Sequence, residues 1–311
     1  AFVDRPYSGE VANRLRGVGR YHASRLIVLA YEPRRTQLDA RVTVAAEHEP
    51  QPGELALLHE TVLVELGDSH MDDLHSIVDP LVLTDVPTLL WSPHGHPEAV
   101  AALAPLAQTV LLDTAVDPVW RDALNNACEL TRRLYVVDLA WVRSSPWRER
   151  IAAAFAREPR RSELDLIAGI AIRHHPDFTV SAMLLTGWLA SRLDWQISPL
   201  VVHSGAHREV TGSAHGRRQD VEIRLRAEPD QQVPGLAGIT IETARGRTLR
   251  LDRGPGGLHA QERRPKGDTH RWVILGASRG EGGILGEGIR QALLRDPTYA
   301  PALSAARAMI S

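Results

Sequence analysis

The chain has 311 residues and a mass of 34.2 kDa, more than one hydrophobic core usually serves, so we expect two domains. Apolar residues at 43%, charged residues at 24% and a formal net charge of −2 are typical of a folded globular protein and exclude disordered, collagen-like and simple coiled-coil classes. The apolar runs are strand-sized, well short of the roughly 18 residues that a membrane helix needs, so no membrane span is expected.

The first half alternates short β-branched runs with helix-like stretches. This alternation predicts a mostly parallel sheet covered by helices, a three-layer Rossmann-like α/β domain over residues 1–159. The predicted strands are 25–30, 42–46, 61–66, 87–91, 109–113 and 134–139, and the predicted helices are 72–83, 97–106 and 118–132.

In the second half, strands follow strands. Short glycine-rich connections predict a mainly antiparallel sheet, packed by an apolar helix at 179–195 and a helix at 283–295. The predicted strands are 164–173, 197–202, 221–227, 238–243, 248–252, 258–262 and 271–275. Residues 160–311 are therefore predicted to form an α+β domain.

The charge is distributed unevenly between the halves. Residues 1–159 carry 15 basic and 22 acidic residues, whereas residues 160–311 carry 21 and 16. The excess of basic residues in the second half is small compared with the concentrated basic faces of nucleic-acid-binding proteins, so we expect no nucleic-acid partner. The lone Cys128 excludes an internal disulfide and favours a reducing compartment, and no secretory signal is recognisable at the start of the sequence, so we expect a cytoplasmic protein.

Glycine-rich residues 276–288 contain the closest match to a catalytic motif. Gly276-Ala277-Ser278-Arg279-Gly280 has the GxSxG pattern of a hydrolase nucleophile elbow, but no histidine follows His270, so the required order of serine, acid and histidine cannot be met. The segment has neither a P-loop nor a dinucleotide-binding fingerprint. It is interpreted as a turn, with an anion site around Arg279 as the alternative.

Fourteen histidines raise the question of a metal site. The closest groups are His94/His96, His174/His175 and His203/His207. None belongs to an HExxH motif or has a cysteine partner, and no third ligand or carboxylate lies at a recognisable metal spacing from His203/His207. Scattered surface or hydrogen-bonded histidines are the preferred interpretation. We therefore expect neither a metal nor another cofactor, and we find no convincing catalytic constellation.

Residues 138–148, DLAWVRSSPWR, concentrate two tryptophans and two arginines where the last strand of the first domain leads into a helix. Tryptophan and arginine are the residue types most enriched at hot spots of protein interfaces. The alternative is that both indoles belong to the core and that the arginines form their salt-bridged rim.

This segment resembles the hallmark of the OpcA family, the glucose-6-phosphate dehydrogenase assembly proteins of actinobacteria and cyanobacteria. Similar elements follow the same order along the chain: DPLVL at 79–83 with DVPTLLWSP at 85–93, LLTGWLASRL at 184–193, GEGIRQAL at 286–293 and DPTY at 296–299. The resemblance covers residues 24–305. Ser92 departs from the family pattern, because many relatives have a second tryptophan there, and a single cysteine cannot form the dithiol switch associated with cyanobacterial relatives.

The resemblance implies a non-catalytic protein that binds glucose-6-phosphate dehydrogenase and promotes its active state in the oxidative pentose phosphate pathway. The residues expected at the docking surface are Trp91, Asp138, Trp141, Arg143, Trp147 and Arg148, with Arg279, Glu281 and Arg290 as a second candidate surface. The rival hypothesis is a sugar-phosphate-binding enzyme with a cleft between its two domains and Arg279 on the phosphate.

Overall fold

The computed structural model describes residues 1–18, 25–46, 58–117, 119–158, 160–203, 209–265, 267–275 and 280–310. The α-helices are α1 (Ser8–Val18), α2 (Leu74–Val78), α3 (Pro97–Leu103), α4 (Trp120–Thr131), α5 (Leu139–Arg143), α6 (Ser145–Ala154), α7 (Thr179–Leu193), α8 (Gly280–Leu294) and α9 (Tyr299–Ala308). The strands are β1 (Phe2–Asp4), β2 (Arg25–Tyr31), β3 (Asp39–Ala46), β4 (Leu58–Leu66), β5 (Leu89–Trp91), β6 (Thr109–Leu112), β7 (Tyr135–Asp138), β8 (Ile167–His174), β9 (Gln196–Ile197), β10 (Val201–His203), β11 (Glu209–His215), β12 (Asp220–Ala227), β13 (Leu236–Thr243), β14 (Thr248–Gly254), β15 (Gly257–Arg263) and β16 (Thr269–Leu275).

Contacts divide the chain into two compact units. Unit 1 comprises residues 1–112, 134–137 and 281–294, and unit 2 comprises residues 113–133, 138–280 and 295–311. The units therefore interleave along the chain, whereas the sequence suggests a single boundary after residue 159.

Unit 1 is built on two small sheets, ordered β1-β2-β4-β3 and β5-β6-β7. β1, β2 and β4 run parallel, as do β5 and β6, whereas the edge strand β3 pairs antiparallel to β4. β2 and β6 are apolar on both faces, as is typical of parallel strands covered by helices on both sides, whereas β4 alternates between buried and half-buried residues. Their buried side chains include Val28, Leu29, Val62, Val64, Val110 and Leu111.

Unit 2 contains a nine-stranded sheet in the order β10-β11-β12-β8-β13-β14-β15-β16, with β9 paired to β11. β12 alternates strictly between exposed and buried residues, which identifies one solvated and one packed face of the sheet. All pairings in this sheet are antiparallel except that of β12 with β8. Helix α7 is apolar almost all round, as expected for a helix enclosed by the core. The predicted α/β plus α+β fold class is confirmed.

The differences from the predicted elements have local causes. The predicted helix at 72–83 ends as an α-helix at Val78 and continues as the 3-10 helix Asp79–Leu81, because Pro80 lacks the N–H needed to extend an α-helix. The sequence pattern does not predict β1, α1, β11 or α9. β11 includes the run Gly212-Ser213-Ala214, whose small residues give little strand signal.

Among the described residues, no helix is both long and apolar enough to span a bilayer. This finding agrees with the strand-sized apolar runs of the sequence.

Gly187 provides a test of the packing between α7 and α9. A methyl group added there would lie 2.9 Å from the backbone nitrogen of Ala306 and closer still to the carbonyl oxygen of Ala302. We predict that Gly187→Ala lowers the free energy of unfolding by about 1–3 kcal/mol, because the two helices must separate.

Gly9→Ala in α1 is the matched control, since no atom lies within 4 Å of its added methyl group. It should be neutral or stabilising by up to about 1 kcal/mol. Urea denaturation measures both, and equal effects of the two substitutions would contradict the described packing.

Candidate functional site

Residues 138–148 form the junction of β7, α5 and α6. The Asp138 carboxylate caps α5 by accepting a hydrogen bond of 3.0 Å from the backbone N–H of Ala140. A carboxylate at this position satisfies a free N–H of the first turn and complements the helix dipole. Pro146 lies in the first turn of α6, where its missing N–H costs no helical hydrogen bond.

Asp138 is buried within unit 2 and joins three distant parts of the sequence. Its carboxylate accepts hydrogen bonds from the Thr114 hydroxyl at 2.7 Å, the Thr114 backbone N–H at 3.1 Å and the Tyr299 hydroxyl at 3.1 Å. Burial, assisted by the neighbouring charge of Asp113, raises the pKa of Asp138 to about 6 despite these hydrogen bonds. Burial also raises the pKa of Tyr299 well above its ordinary value, and the Asp138 charge adds to this effect.

Trp141 lies next to this network with only 1% of its surface exposed. Its indole Nε1–H donates a hydrogen bond of 2.8 Å to Asp296, and its ring meets Tyr299 edge-on with the centroids 5.6 Å apart. The Arg148 guanidinium stacks 3.5 Å from the ring centroid and also pairs with Asp296. Burial lowers the pKa of Arg148 to about 10, which still leaves it charged at neutral pH.

The other predicted docking residues are distributed over different places. Trp147 is 2% exposed in α6, and Arg143 forms an ion pair of 2.7 Å with Asp113. Trp91 is buried in β5 of unit 1. The structure thus brings Asp138, Trp141 and Arg148 together inside unit 2, as in the alternative in which the indoles are core and the arginines their rim.

The second candidate surface lies on and before α8. Arg279 lies outside the described residues, and Glu281 lies in the first turn of α8. Arg290 is exposed, with a hydrogen bond of 3.0 Å to Glu287 one helical turn earlier. Of the predicted docking residues whose side chains are described, Arg290 is the one that presents a largely solvent-exposed side chain.

Unit 2 also contains a cavity of about 460 Å³ between α6 and the last strands of the sheet. Its walls carry Arg150, Arg160, Arg247, Glu262 and the stacked pair of His270 and Trp272. Two of these arginines already have carboxylate partners. Arg160 binds both oxygens of Glu262 at 2.9 Å, and Arg247 bridges Glu262 to the buried Glu163. These pairs offset the positive charge that an anionic ligand would need.

The β1–α1 connection is the position at which a Rossmann-like fold holds the pyrophosphate of a dinucleotide. Here it reads Asp4-Arg5-Pro6-Tyr7-Ser8, with Glu10 in the first turn of α1. A glycine-rich turn is needed there so that the backbone can approach the phosphates, and negative carboxylates repel them. These residues do not fit a dinucleotide.

One residue that no sequence motif indicates joins two of the histidines. Asp4, at the end of β1, meets His94 and His96 in the β5–α3 connection. Its partners lie about ninety positions away, so no spacing rule could have joined them. A predicted parallel sheet indicates only that residues at the carboxyl ends of its strands lie along one edge, where such a cluster can form.

The fold places the chain in a class of two-part proteins that combine a Rossmann-like unit with a mainly antiparallel sheet. The transcriptional regulator Gal80p from Kluyveromyces lactis has the same architecture, with a TM-score of 0.54, 12% identity and coverage of 99% of this chain and 89% of that chain. At this identity the similarity concerns the fold alone.

Family models identify the family. The model described as the glucose-6-phosphate dehydrogenase subunit N-terminal domain matches residues 16–130, and the corresponding C-terminal domain model matches residues 134–303. The chain belongs to the OpcA family that these two models describe.

Two cyanobacterial relatives are named OpcA and assigned by name to the OxPP cycle. The protein of Synechococcus elongatus is 27% identical over 189 residues, which cover 58% of this chain and 40% of the relative. The protein of Nostoc punctiforme is 25% identical over 209 residues, which cover 65% of this chain and 44% of the relative. The chain thus matches less than half the length of these relatives.

The raised pKa of Asp138 gives a pH-dependent prediction. Because the folded pKa of about 6 lies above the ordinary value of 3.8, the folded state binds the proton more tightly than the unfolded state. Stability from this group is therefore fully present below about pH 4 and is lost as the pH rises through about 6.

We predict that the wild type loses on the order of 3 kcal/mol relative to Asp138→Asn between about pH 4 and pH 7. Urea unfolding of both proteins across this range measures the difference. Asp230→Asn, at an exposed position, is the control and should run parallel to the wild type. Parallel profiles for wild type and Asp138→Asn would show that Asp138 does not titrate in this way.

Proposed function

We propose that this chain is a non-catalytic assembly factor that binds glucose-6-phosphate dehydrogenase and allosterically favours its active state in the oxidative pentose phosphate pathway. The family match over residues 16–130 and 134–303 carries the proposal. The described residues support a binding role in two ways. The β1–α1 connection does not fit a dinucleotide, and ion pairs within unit 2 offset the charge of two arginines at its cavity.

Activation requires only a difference in affinity. A protein that binds the active state of an enzyme more tightly than the inactive state shifts the equilibrium by the ratio of the two affinities. A difference of about 3 kcal/mol corresponds to a shift of more than a hundredfold. Contacts between the two proteins are sufficient, and the activator needs no catalytic groups of its own.

The exposed end of α8 is the surface that we propose for docking. Leu293 and Leu294 are 64% and 63% exposed, and they lie three and four residues after Arg290, on the same side of the helix. Exposed leucines beside an arginine combine apolar area with a directed donor, the features of an interface centre. The surface ion pair between Arg290 and Glu287 costs little to break, so the guanidinium is available to a partner carboxylate.

In this proposal the tryptophan segment acts indirectly. Trp141 and Trp147 are buried among residues of unit 2, so their removal would first damage packing there. Truncating a buried tryptophan typically costs about 3–5 kcal/mol of stability. If such a variant changed the activity of a partner enzyme, the change would reflect the lost stability of unit 2 as well as any loss of docking.

Mixing the purified chain with the dehydrogenase of the same organism tests the proposal. The two proteins should comigrate on a sizing column, and the KM or kcat of the dehydrogenase should change with saturable dependence on the chain. Unchanged kinetics and elution at micromolar concentrations would overturn the proposal. Turnover of a sugar phosphate by the chain alone would favour the rival enzyme hypothesis.

The α8 surface is tested separately by substitution. We predict that Leu293→Ser with Leu294→Ser weakens binding to the dehydrogenase at least tenfold, or about 1.4 kcal/mol, because the interface loses apolar area. Val201→Ser with Val202→Ser is the matched control, since this exposed valine pair on β10 lies in the other unit. If both double variants bind like the wild type, α8 is not the docking surface, although the proposed activity itself would stand.

A further inference from the structure

The cluster of Asp4, His94 and His96 lies where the carboxyl ends of several strands of unit 1 meet. Asp4 ends β1, and both histidines follow β5 in the segment Ser92-Pro93-His94-Gly95-His96. Each residue offers one ligand atom, and the three atoms lie within 4.8 Å of one another. The carboxyl ends of parallel strands are the usual position of ligand sites in open α/β sheets.

The distances within the cluster suit a bound cation. Nε2 of His96 lies 3.0 Å from one carboxylate oxygen of Asp4, and Nδ1 of His94 lies 3.6 Å from the other. Ligand atoms on a tetrahedral zinc ion are about 3.3 Å apart for bonds of about 2.0 Å. The two observed distances, measured to the two oxygens of Asp4, lie on either side of this value, so small side-chain rotations would bring one of these oxygens and both nitrogens onto a single ion.

The imidazole of His96 is fixed in the cluster by its neighbours, although its Nε2 atom lacks a hydrogen bond. This atom is buried and has no hydrogen-bond partner among the described residues, despite its short distance to Asp4. The backbone of His96 is left-handed, with φ of 52°, a conformation uncommon in residues other than glycine. Phe2 packs edge-on against the imidazole with ring centroids 4.9 Å apart, and Tyr31 at 5.5 Å, which fixes its orientation.

The surroundings are rich in negative charge. The Tyr31 hydroxyl donates a hydrogen bond to Asp68, which follows β4, and Glu98 lies in the first turn of α3. Asp4 and Glu98 also place carboxylates near Tyr31, whose ring lies against His96. The nearest arginine in sequence, Arg5, is paired with Glu32 and Glu65. A cation is therefore favoured at this position.

We propose that Asp4, His94 and His96 form a binding site for a divalent transition-metal ion of the zinc type. Two imidazole nitrogens and one carboxylate oxygen are a ligand set that zinc accepts, and three protein ligands leave at least one position for water. The backbone N–H of Asp4 now donates a long hydrogen bond of 3.3 Å to Nδ1 of His94, and this lone pair turns to the metal on binding. The ion would join the β1–α1 connection to the β5–α3 connection.

Titration of the untagged full chain with zinc chloride, followed by calorimetry, tests the site. We expect one equivalent of zinc to bind, with a rise in Tm because the ion binds the folded state. His94→Ala and His96→Asn should each weaken the affinity at least tenfold. Asparagine is chosen at position 96 because it tolerates the left-handed backbone conformation.

His215→Ala is the matched control. His215 forms an exposed pair of 2.8 Å with Asp220, and among the described residues this pair belongs to no three-ligand cluster, so the variant should bind zinc like the wild type. The proposal is overturned if the wild type binds no stoichiometric zinc, if the His94 and His96 variants bind as tightly as the wild type, or if the His215 variant loses zinc equally.

Cobalt chloride gives a readout on the unaltered protein. Cobalt held by four or five ligands that include imidazole should produce intense visible absorption, which zinc then displaces. A spectrum that stays as weak as that of aqueous cobalt would show that the three side chains form only histidine–carboxylate ion pairs.

Discussion

The buried carboxylate of Asp138 is the constraint on which the arrangement of unit 2 depends. A carboxylate removed from water must be surrounded by donors, and those donors come from Thr114, the start of α5 and Tyr299. Segments that are far apart in the sequence are thereby fixed to one point. The adjacent contacts of Trp141 with Asp296 and Arg148 extend the same network to α6 and to the turn before α9.

This network bears on the role of residues 138–148, the tryptophan- and arginine-rich motif that was expected at the docking surface. Tryptophan and arginine at such density predict either an interface or a well-packed core, because both uses exploit large area and directed hydrogen bonds. Burial distinguishes the two, and it is a property of the tertiary structure alone. In unit 2 the tryptophans of the motif are buried against other residues of the same chain. We therefore place the proposed partner contact on the exposed leucines of α8.

The sequence predicted the elements that have strong periodicity or clear end signals. β12, α7 and the succession of strands from β13 to β16 fall within a few residues of their predicted bounds, because alternation and apolar continuity directly reflect burial. β1 was missed because three residues are too few to establish a period. The meeting of Asp4 with His94 and His96 could not be predicted, since strand order, and not spacing along the chain, brings these residues together. The family was recognisable because its motifs are local, whereas the contacts that those motifs make are not.

The central claim is that the chain docks through α8 and that residues 138–148 belong to the core of unit 2. Amide hydrogen exchange of the chain, measured with and without glucose-6-phosphate dehydrogenase, tests this claim most directly. The account predicts new protection of the described part of α8 on complex formation and unchanged, already slow exchange over residues 138–148. New protection confined to residues 138–148, with α8 exchanging as in the free chain, would contradict it.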